Sequence, residues 1–353
     1  MKRLLQIVGT IVVVVLAGCT LLPLLPVDTW WIRIGDFPRI QLAIAHAVCA
    51  VAFIPARKSR LGQISIATMT ICLGIQIYWV FAWLPIATNE VEWAESEDRG
   101  RRIRILSANV LQPNRKTQEV LDVVEERTPD LLILCEINQR WATELEPLKE
   151  QFPFHYLHPL ENKYGMAMFS RLPISPVEVK HLVRPNVPSL HFDVTLDCGA
   201  KCRVVAIHPN PPRPGQSTTA RDAELVVAGR DARQHQNCIV LGDLNDVGWS
   251  RTTNLFQEVS GLLDPRKGRG IYPTFDVKSP IWRYPIDHVF HSPTFRVVRI
   301  ETLRPIGSDH FPLFVELSHE PEAQGDQHAP NLDSGDQEDA EDVVEQGDEY
   351  PSL

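Results

Sequence analysis

The sequence lacks several features that mark common classes of protein. It has 7 cysteines, but no pair of cysteine and histidine clusters has the spacing of a zinc site, which argues against a structural zinc motif. It has no glycine-rich nucleotide-binding loop and no internal repeat. Lysine and arginine are absent from residues 320–353, a stretch that holds 12 acidic residues.

The acidic net charge comes from that one end of the chain. The formal net charge is -9, but without residues 320–353 the chain carries +3, and residues 99–319 hold 28 basic against 25 acidic side chains. A mildly basic region suits an anionic substrate but falls far short of a surface that coats nucleic acid. The tail, 319–353, is too poor in apolar residues to offset its ordering entropy, so we predict that it is disordered.

Three runs near the start of the chain contain no charged residue. They cover 4–27, 40–56 and 61–89, which is 24, 17 and 29 residues. A helix of about 20 apolar residues spans the hydrocarbon core of a bilayer. We therefore predict a membrane region over 1–89 with about three transmembrane helices, followed by a linker over 90–100. The middle run is the shortest and contains His46.

Basic residues flanking these runs give an orientation. Lys2 and Arg3 precede the first run, and three more basic residues lie within 57–60. If both clusters stay cytoplasmic, three spans place everything after residue 89 outside the cytoplasm. The predicted location is an inner or cell membrane of bacterial type, which the chain crosses more than once. A competing interpretation is a lipoprotein signal, because the residues that end at Cys19 resemble a lipidation box.

Two cysteines bear on the compartment. Cys198 and Cys202 flank a hairpin-like turn, where a disulfide could form in an oxidising compartment; the sequence leaves open whether they are bridged. Cys135 and Cys238 lie inside apolar strand-like runs, which indicates buried thiols.

Residues 101–318 have the pattern of one α+β domain, because strand-like runs mix with three helical patterns. Helices are predicted near 115–127, 138–149 and 216–234. Strands are predicted at 102–109, 130–136, 165–170, 189–197, 202–208, 237–243, 286–291, 295–303 and 312–318. Several of these strands end on a carboxylate, an amide or an imidazole. Buried strands with such ends usually place them together at one edge of a sheet.

Seven polar signatures follow one another along this domain: Asn109, Glu136, 165–171, His208, Asp243-Leu244-Asn245, Asp287 and Ser308-Asp309-His310. In this order they resemble the endonuclease/exonuclease/phosphatase superfamily, the metal-dependent phosphoesterases that include DNase I-like nucleases, sphingomyelinases and inositol-polyphosphate phosphatases. The chain is similar to a membrane-anchored bacterial type. The resemblance implies a four-layer α-β-β-α sandwich over 101–318, with the cleft at one edge of two packed sheets.

The resemblance also implies a metal site. Asn109, Glu136 and Asp309 take its metal-side positions, with Glu136 as the principal ligand. Carboxylate and amide oxygens without thiolate partners suit a hard cation, so the expected ion is Mg²⁺ or Mn²⁺. Such a cation is suited to phosphate.

The remaining signature residues take catalytic roles by the same resemblance. Asp243 orients or deprotonates the attacking water, and Asn245 donates to the scissile phosphate. His310 contacts the phosphate, and Asp287 fixes its tautomer. His208 stands near the leaving group, where an imidazole titrates in a useful range.

Each residue taken singly also has a plain structural interpretation. An Asp-x-Asn sequence is often a turn, and His208 begins a proline-rich loop over 209–214. His288 stands where many relatives carry tyrosine, and is either a supporting group or a core histidine. Lys163 and Tyr164 either line the cleft or belong to a surface loop.

The substrate is the least defined part of this hypothesis. A nuclease or phosphodiesterase leads, and the alternatives are a sphingomyelinase-like hydrolase of phospholipid headgroups, an inositol-phosphate hydrolase, or a tethered binding module without activity. DNA-cleaving relatives usually carry basic or aromatic insertion loops. The two candidates here are 266–269 and 282–284, and each is equally consistent with an ordinary loop. The expected partners are a phosphoester substrate (nucleic acid or phospholipid headgroup) and the membrane, with no protein partner evident.

Overall fold

The computed structural model describes residues 2–215 and 217–348. The first residue of the predicted helix 216–234 and the last five residues of the predicted tail lie outside this range. The chain divides into two compact units, one made of 1–84 with 212–218 and the other of 85–211 with 219–353. The domain boundaries proposed above stay predictions.

The first unit is helical. Its helices are α1 (Lys2–Leu21), α2 (Trp30–Arg33), α3 (Arg39–Ala52) and α4 (Arg60–Val80). Two stretches of the described residues, Ile7–Leu24 and Arg60–Trp83, are long and apolar enough to cross a membrane. The second of the three predicted spans is α3, whose 14 residues reach roughly 21 Å against a hydrocarbon core of about 30 Å. The structure therefore supports two of the three predicted spans.

This unit buries polar as well as apolar side chains and leaves many large apolar side chains exposed. His46 Nε2 and Gln76 Nε2 lie 2.7 and 3.0 Å from Thr20 Oγ1, and all three side chains are buried. Large apolar side chains face outward instead: Val14 and Ile71 are each 64% exposed. A soluble helical bundle keeps most of its large apolar side chains inside.

The second unit is built on eleven strands in two sheets. The strands are β1 (Arg102–Asn109), β2 (Leu131–Cys135), β3 (Phe154–His158), β4 (Met166–Ser170), β5 (Glu178–Lys180), β6 (Ser189–Thr195), β7 (Lys201–Ala206), β8 (Cys238–Asp243), β9 (Asp287–His291), β10 (Phe295–Thr302) and β11 (Leu313–His319). One sheet has the order β10-β11-β1-β2-β4-β3 and the other β5-β6-β7-β8-β9. Apolar side chains of both sheets, such as Ile105 and Val204, form one core between them.

Helices cover the outer face of each sheet. The six-stranded sheet packs against α5 (Thr117–Arg127), α6 (Gln139–Glu144) and α7 (Leu148–Gln151), through a cluster that includes Val124, Trp141 and Leu148. The five-stranded sheet packs against α8 (Thr219–Ala232) and α9 (Arg251–Ser260). The order of layers is therefore α-β-β-α, as the family resemblance implied.

The acidic tail differs from the predicted disorder. Beyond β11 it contains α10 (Ser334–Asp348). Ala340, Val343 and Val344 lie on one side of this helix and pack against Val226 of α8 and Val259 of α9. A narrow apolar stripe at helical spacing orders a segment whose overall composition indicates disorder.

Candidate active site

The polar strand ends meet at one edge of the two sheets because of how the strands run. β1 is parallel to β2, and β7 is parallel to β8, so each pair ends at the same edge. β9 runs antiparallel to β8, with Asp287 directly opposite Asp243. β11 runs antiparallel to β1 and begins just after His310, which brings that imidazole to the end of β1.

Asn109 joins the two sheets at this edge. Its amide nitrogen lies 3.3 Å from Glu136 Oε1 and 3.0 Å from Asp243 Oδ2. The backbone N–H of Gln112 donates to the other oxygen of Glu136 at 3.0 Å. Ser308 donates to the backbone carbonyl of Asn109 at 2.7 Å, which ties the Ser-Asp-His segment to the same point.

Two imidazoles converge on one oxygen of Asp243. His208 Nε2 lies 3.5 Å and His310 Nε2 lies 3.7 Å from Asp243 Oδ2. The other carboxylate oxygen accepts the backbone N–H of Asn245 at 3.0 Å. The side-chain amide of Asn245 donates to the carbonyl of Pro209 at 2.9 Å.

His310 and Asp287 form a buried pair. The distance from His310 Nδ1 to Asp287 Oδ2 is 2.8 Å. Burial alone would lower the pKa of His310, but the carboxylates of Asp287, Asp243 and Asp309 outweigh it and raise that pKa to about 10. Asp287 therefore orients the ring and keeps it protonated, so that Nε2 points its proton towards Asp243.

The backbone is unusual at three positions around these groups. Gly242 has a φ of +137°, and a Cβ there would lie 2.0 Å from the carbonyl oxygen of Ile207, so glycine is required before Asp243. Glu136 and Asn245 have positive φ values of 64° and 52°. Strained conformations of non-glycine residues concentrate at functional sites, where they aim a side chain.

Several of these groups are able to hold a cation. Ligand atoms of Asp243, Asp287 and His310 lie within 4.8 Å of one another. Because Asp287 is already paired with His310 and Asp243 faces both imidazoles, Glu136 is the carboxylate better suited to a metal. Asp309 is half-buried at the rim, where its Oδ1 lies 3.4 Å from Ser308 Oγ.

A buried polar network holds the backbone carbonyls of Asp287 and Asp246, next to the candidate active site. Arg266 Nε and Nη2 donate to the two oxygens of Asp264 at 2.9 and 2.7 Å, and Nη1 donates to the carbonyl of Asp287 at 3.1 Å. Arg266 Nη2 also lies 2.5 Å from His288 Nδ1. Arginine has no acceptor, so His288 Nδ1 accepts and Nε2 carries the proton, which it donates to the carbonyl of Asp246 at 2.8 Å.

This network decides two points that the sequence leaves open: the role of the basic segment 266–269 and that of His288. The segment 266–269, considered as a basic loop for nucleic acid, is internal: Arg266 is 1% exposed, Lys267 pairs with Glu90 at 2.8 Å, and Arg269 lies over the ring of Trp93. His288 is a supporting group rather than a plain core histidine. The other candidate loop, 282–284, remains accessible through Trp282, which is 52% exposed.

Some supporting residues have only weak signals in the sequence. Gln112 acts through its backbone N–H, which no residue type predicts. Asp246 directly follows Asn245, and Asp264 stands two positions before Arg266, but neither spacing is specific to a site. Tyr164, left open between cleft and surface, is buried with its ring 5.6 Å from that of His208.

Comparison with known proteins gives a family match and a fold match. The family model described as "Endonuclease/Exonuclease/phosphatase family" matches residues 105–310, a range that includes all eight predicted site residues. No curated protein sequence matches the chain significantly.

Solved structures with the same fold are distant in sequence. The human nocturnin catalytic domain with bound sulfate anion is 18% identical, with a TM-score of 0.51, and the match covers 62% of this chain and 94% of that one. TDP2 from D. rerio, complexed with single strand DNA product, is 16% identical, with a TM-score of 0.52 and coverage of 62% and 99%. A functionally unknown conserved protein from Enterococcus faecalis V583 is also 16% identical, with a TM-score of 0.50 and coverage of 62% and 100%. At these identities the likeness shows the fold alone.

Proposed function

The chain belongs to the endonuclease/exonuclease/phosphatase family, and from that premise we propose that it hydrolyses phosphodiester bonds with Mg²⁺ or Mn²⁺ while tethered to a membrane. The observation that carries the proposal is the meeting of the predicted groups at one sheet edge. Asn109 touches both Glu136 and Asp243, and both imidazoles face Asp243.

A bound divalent cation offsets the negative charge that develops on the phosphoryl oxygens. We assign its binding to Glu136, Asn109 and Asp309, with Asp243 beside them. The donor set fits a hard cation, because it consists of carboxylate and amide oxygens. Each oxygen of Glu136 accepts one N–H, which leaves lone pairs available to a metal.

The other residues handle protons and orientation. Asp243 accepts the proton of the attacking water, because its Oδ2 lies at the centre of the edge. His310, protonated beside Asp287, donates to a phosphoryl oxygen, and His208 supplies a proton to the leaving oxygen. Asn245 uses one N–H on Pro209, and its second N–H donates to the phosphate.

The preferred activity is that of a nuclease or a general phosphodiesterase. Among similar folds, one TDP2 structure contains a single strand DNA product and the nocturnin structure contains a sulfate anion. Those ligands belong to those proteins, but they support an anionic substrate here as well. The small net positive charge of residues 99–319 also favours an anionic substrate.

The membrane tether is supported by the first unit. Only 17% of Ile7–Leu24 and 28% of the apolar window in Arg60–Trp83 are buried, unlike the core helix of a soluble protein. Placement of the catalytic unit outside the cytoplasm requires an odd number of crossings, and so depends on α3. A C-terminal alkaline phosphatase fusion tests it: activity indicates an external catalytic unit, and an inactive fusion refutes that location.

The enzymatic proposal is tested by turnover of bis-p-nitrophenyl phosphate with Mg²⁺ or Mn²⁺. We expect metal-dependent hydrolysis by the full-length chain that falls by at least about 100-fold in Glu136→Ala and in His310→Ala. Absence of turnover, or turnover unchanged in both variants, would favour a tethered binding module.

A further inference from the structure

A cavity of about 430 Å³ lies beside Glu136. It is lined by Gln112, Pro113, Arg115, Asn138, Arg140 and Lys163. Two contacts join it to the candidate active site: Gln112 donates its backbone N–H to Glu136 at 3.0 Å, and Tyr164, next to Lys163, packs its ring against His208. Ligand bound in the cavity would therefore be adjacent to the group assigned to the cation.

The walls of this cavity are held by hydrogen bonds. Arg140 Nη2 donates to the carbonyls of Gln112 and Asn114 at 2.9 and 2.6 Å, which fixes the turn that carries Arg115. Asn138 accepts the N–H of Trp141 at 3.2 Å and so caps α6 on the other side. The cavity is thus part of the folded unit rather than a gap between loose loops.

The cavity carries positive charge. Three of its six lining residues are cations and none is a carboxylate. Arg140 is neutralised by Glu144 at 2.6 Å. Arg115 and Lys163 are exposed, and neither makes a hydrogen bond or ion pair with the described residues.

Two acids oppose these cations. Glu144, which pairs with Arg140, also interacts electrostatically with Arg115. The second acid is Glu161. Its carboxylate accepts from the side chains of Gln112 and Asn138, both at 3.2 Å, and from the backbone of Gln139 at 3.3 Å. Against the three cations of the cavity, Arg115, Arg140 and Lys163, these two carboxylates leave an excess of one positive charge.

We propose that this cavity binds a second phosphate of the substrate, next to the one that is cleaved. The proposal rests on the phosphoester hydrolysis proposed above and narrows its substrate to molecules with more than one phosphate. These are a nucleic-acid strand, cleaved at a phosphodiester, or a phosphorylated inositol, cleaved at a phosphomonoester. A phosphocholine lipid fits poorly, because its quaternary ammonium would approach Arg115 and Lys163 and be repelled.

Hydrolysis by the full-length chain in mild detergent tests the subsite. The test variant is Arg115→Gln/Lys163→Gln, and the matched control is Lys201→Gln/Arg230→Gln. The control removes the same charge from two exposed side chains, of which Lys201 begins β7 at the end of the strand away from His208. The substrates are bis-p-nitrophenyl phosphate, a short single-stranded DNA, a phosphorylated inositol and sphingomyelin vesicles.

The expected result is a selective loss. In the test variant, KM for a substrate with several phosphates rises about tenfold more than KM for bis-p-nitrophenyl phosphate, and the slope of log KM against log salt falls by about two. The control keeps the wild-type ratio. Whichever of DNA and phosphorylated inositol shows the loss is the source of the second phosphate. Equal changes on all substrates, or preferred hydrolysis of sphingomyelin, would overturn the proposal.

Binding separates this proposal from the function on which it rests. Fluorescence anisotropy of a labelled single-stranded DNA and competition by the phosphorylated inositol are measured on chains that also carry Asp243→Asn, so no turnover is needed. Weaker binding of both ligands in the test variant than in the control supports the subsite even if the wild type hydrolyses nothing. Equal binding of both ligands by the two variants refutes it, whatever the activity.

Discussion

The two sides of the candidate active site are constructed differently. The proposed cation side, Asn109 and Glu136, is also buried but lies beside an open cavity. The backbone N–H groups of Leu111 and Gln112 and the hydroxyl of Ser308 hold it. The proton side, Asp243, Asp287, His208 and His310, is buried, and the Arg266–His288 network holds the backbone carbonyls of Asp287 and Asp246. Groups that transfer protons need fixed pKa values and geometry, whereas groups that bind a cation must leave room for substrate.

The largest effect is expected on the proton side. Asp243→Asn keeps the hydrogen bond from Asn245 possible but removes the proton acceptor, so kcat for bis-p-nitrophenyl phosphate falls by about 1000-fold. Added Mn²⁺ does not restore it. The exposed Asp197→Asn serves as control and keeps wild-type kcat. If high Mn²⁺ restored the kcat of Asp243→Asn, Asp243 would belong to the cation side instead.

Activity lost through a change on the cation side is expected to return when metal is added. Glu136→Gln keeps the acceptor for Gln112 but removes a negative charge, so the apparent affinity for Mn²⁺ falls by about 10–100-fold. Steady-state rates measured across Mn²⁺ concentrations give this shift, and most of kcat returns at saturation. A loss that no metal concentration repairs would remove the distinction between the two sides.

The pH profile distinguishes the proton side further. The pKa of His310 is raised to about 10 against the effect of burial, chiefly by Asp287 and Asp243. A protonated His310 acts below its pKa and is lost above it, so Asp287→Asn, which removes one of these carboxylates, moves the alkaline fall of kcat/KM to lower pH. The rate at neutral pH drops by about tenfold. An unmoved alkaline limb would show that Asp287 does not tune His310.

The smallest effect is expected from the supporting network. Arg266→Lys keeps the charge but loses the fork that reaches Asp264, His288 and Asp287. Thermal unfolding of the full-length chain should show a loss of about 1–2 kcal/mol, with kcat reduced only a few-fold. Arg299→Lys, at a half-exposed ion pair, is the control and changes stability little. A kcat loss as large as that of Asp243→Asn would mean that Arg266 acts directly.

The strands that carry functional groups were the best predicted part of the fold. β1 spans Arg102–Asn109, as predicted, because a strand buried in a sandwich has a nearly continuous apolar sequence with a polar end. β3, β5 (with only three residues) and α9 were not predicted. The residue types that cap α9 are nevertheless recognisable in the sequence. Ser250 accepts the N–H of Thr253, and Gly261 ends the helix in the left-handed conformation.

The supporting contacts were beyond the reach of the sequence. Arg266 and His288 are separated by 22 positions and meet only after β9 has paired with β8. Order along the chain identified the groups at the sheet edge. Which of them touch each other, and which basic loop turns inward, depended on tertiary packing.

The most direct test of the account is the metal dependence of phosphodiester turnover by the unaltered full-length chain. We predict no hydrolysis of bis-p-nitrophenyl phosphate after chelation, and saturable recovery as Mg²⁺ or Mn²⁺ is added back. Hydrolysis that persists without a divalent cation, or none at any cation concentration, would contradict a metal-dependent site shared by the two sheets.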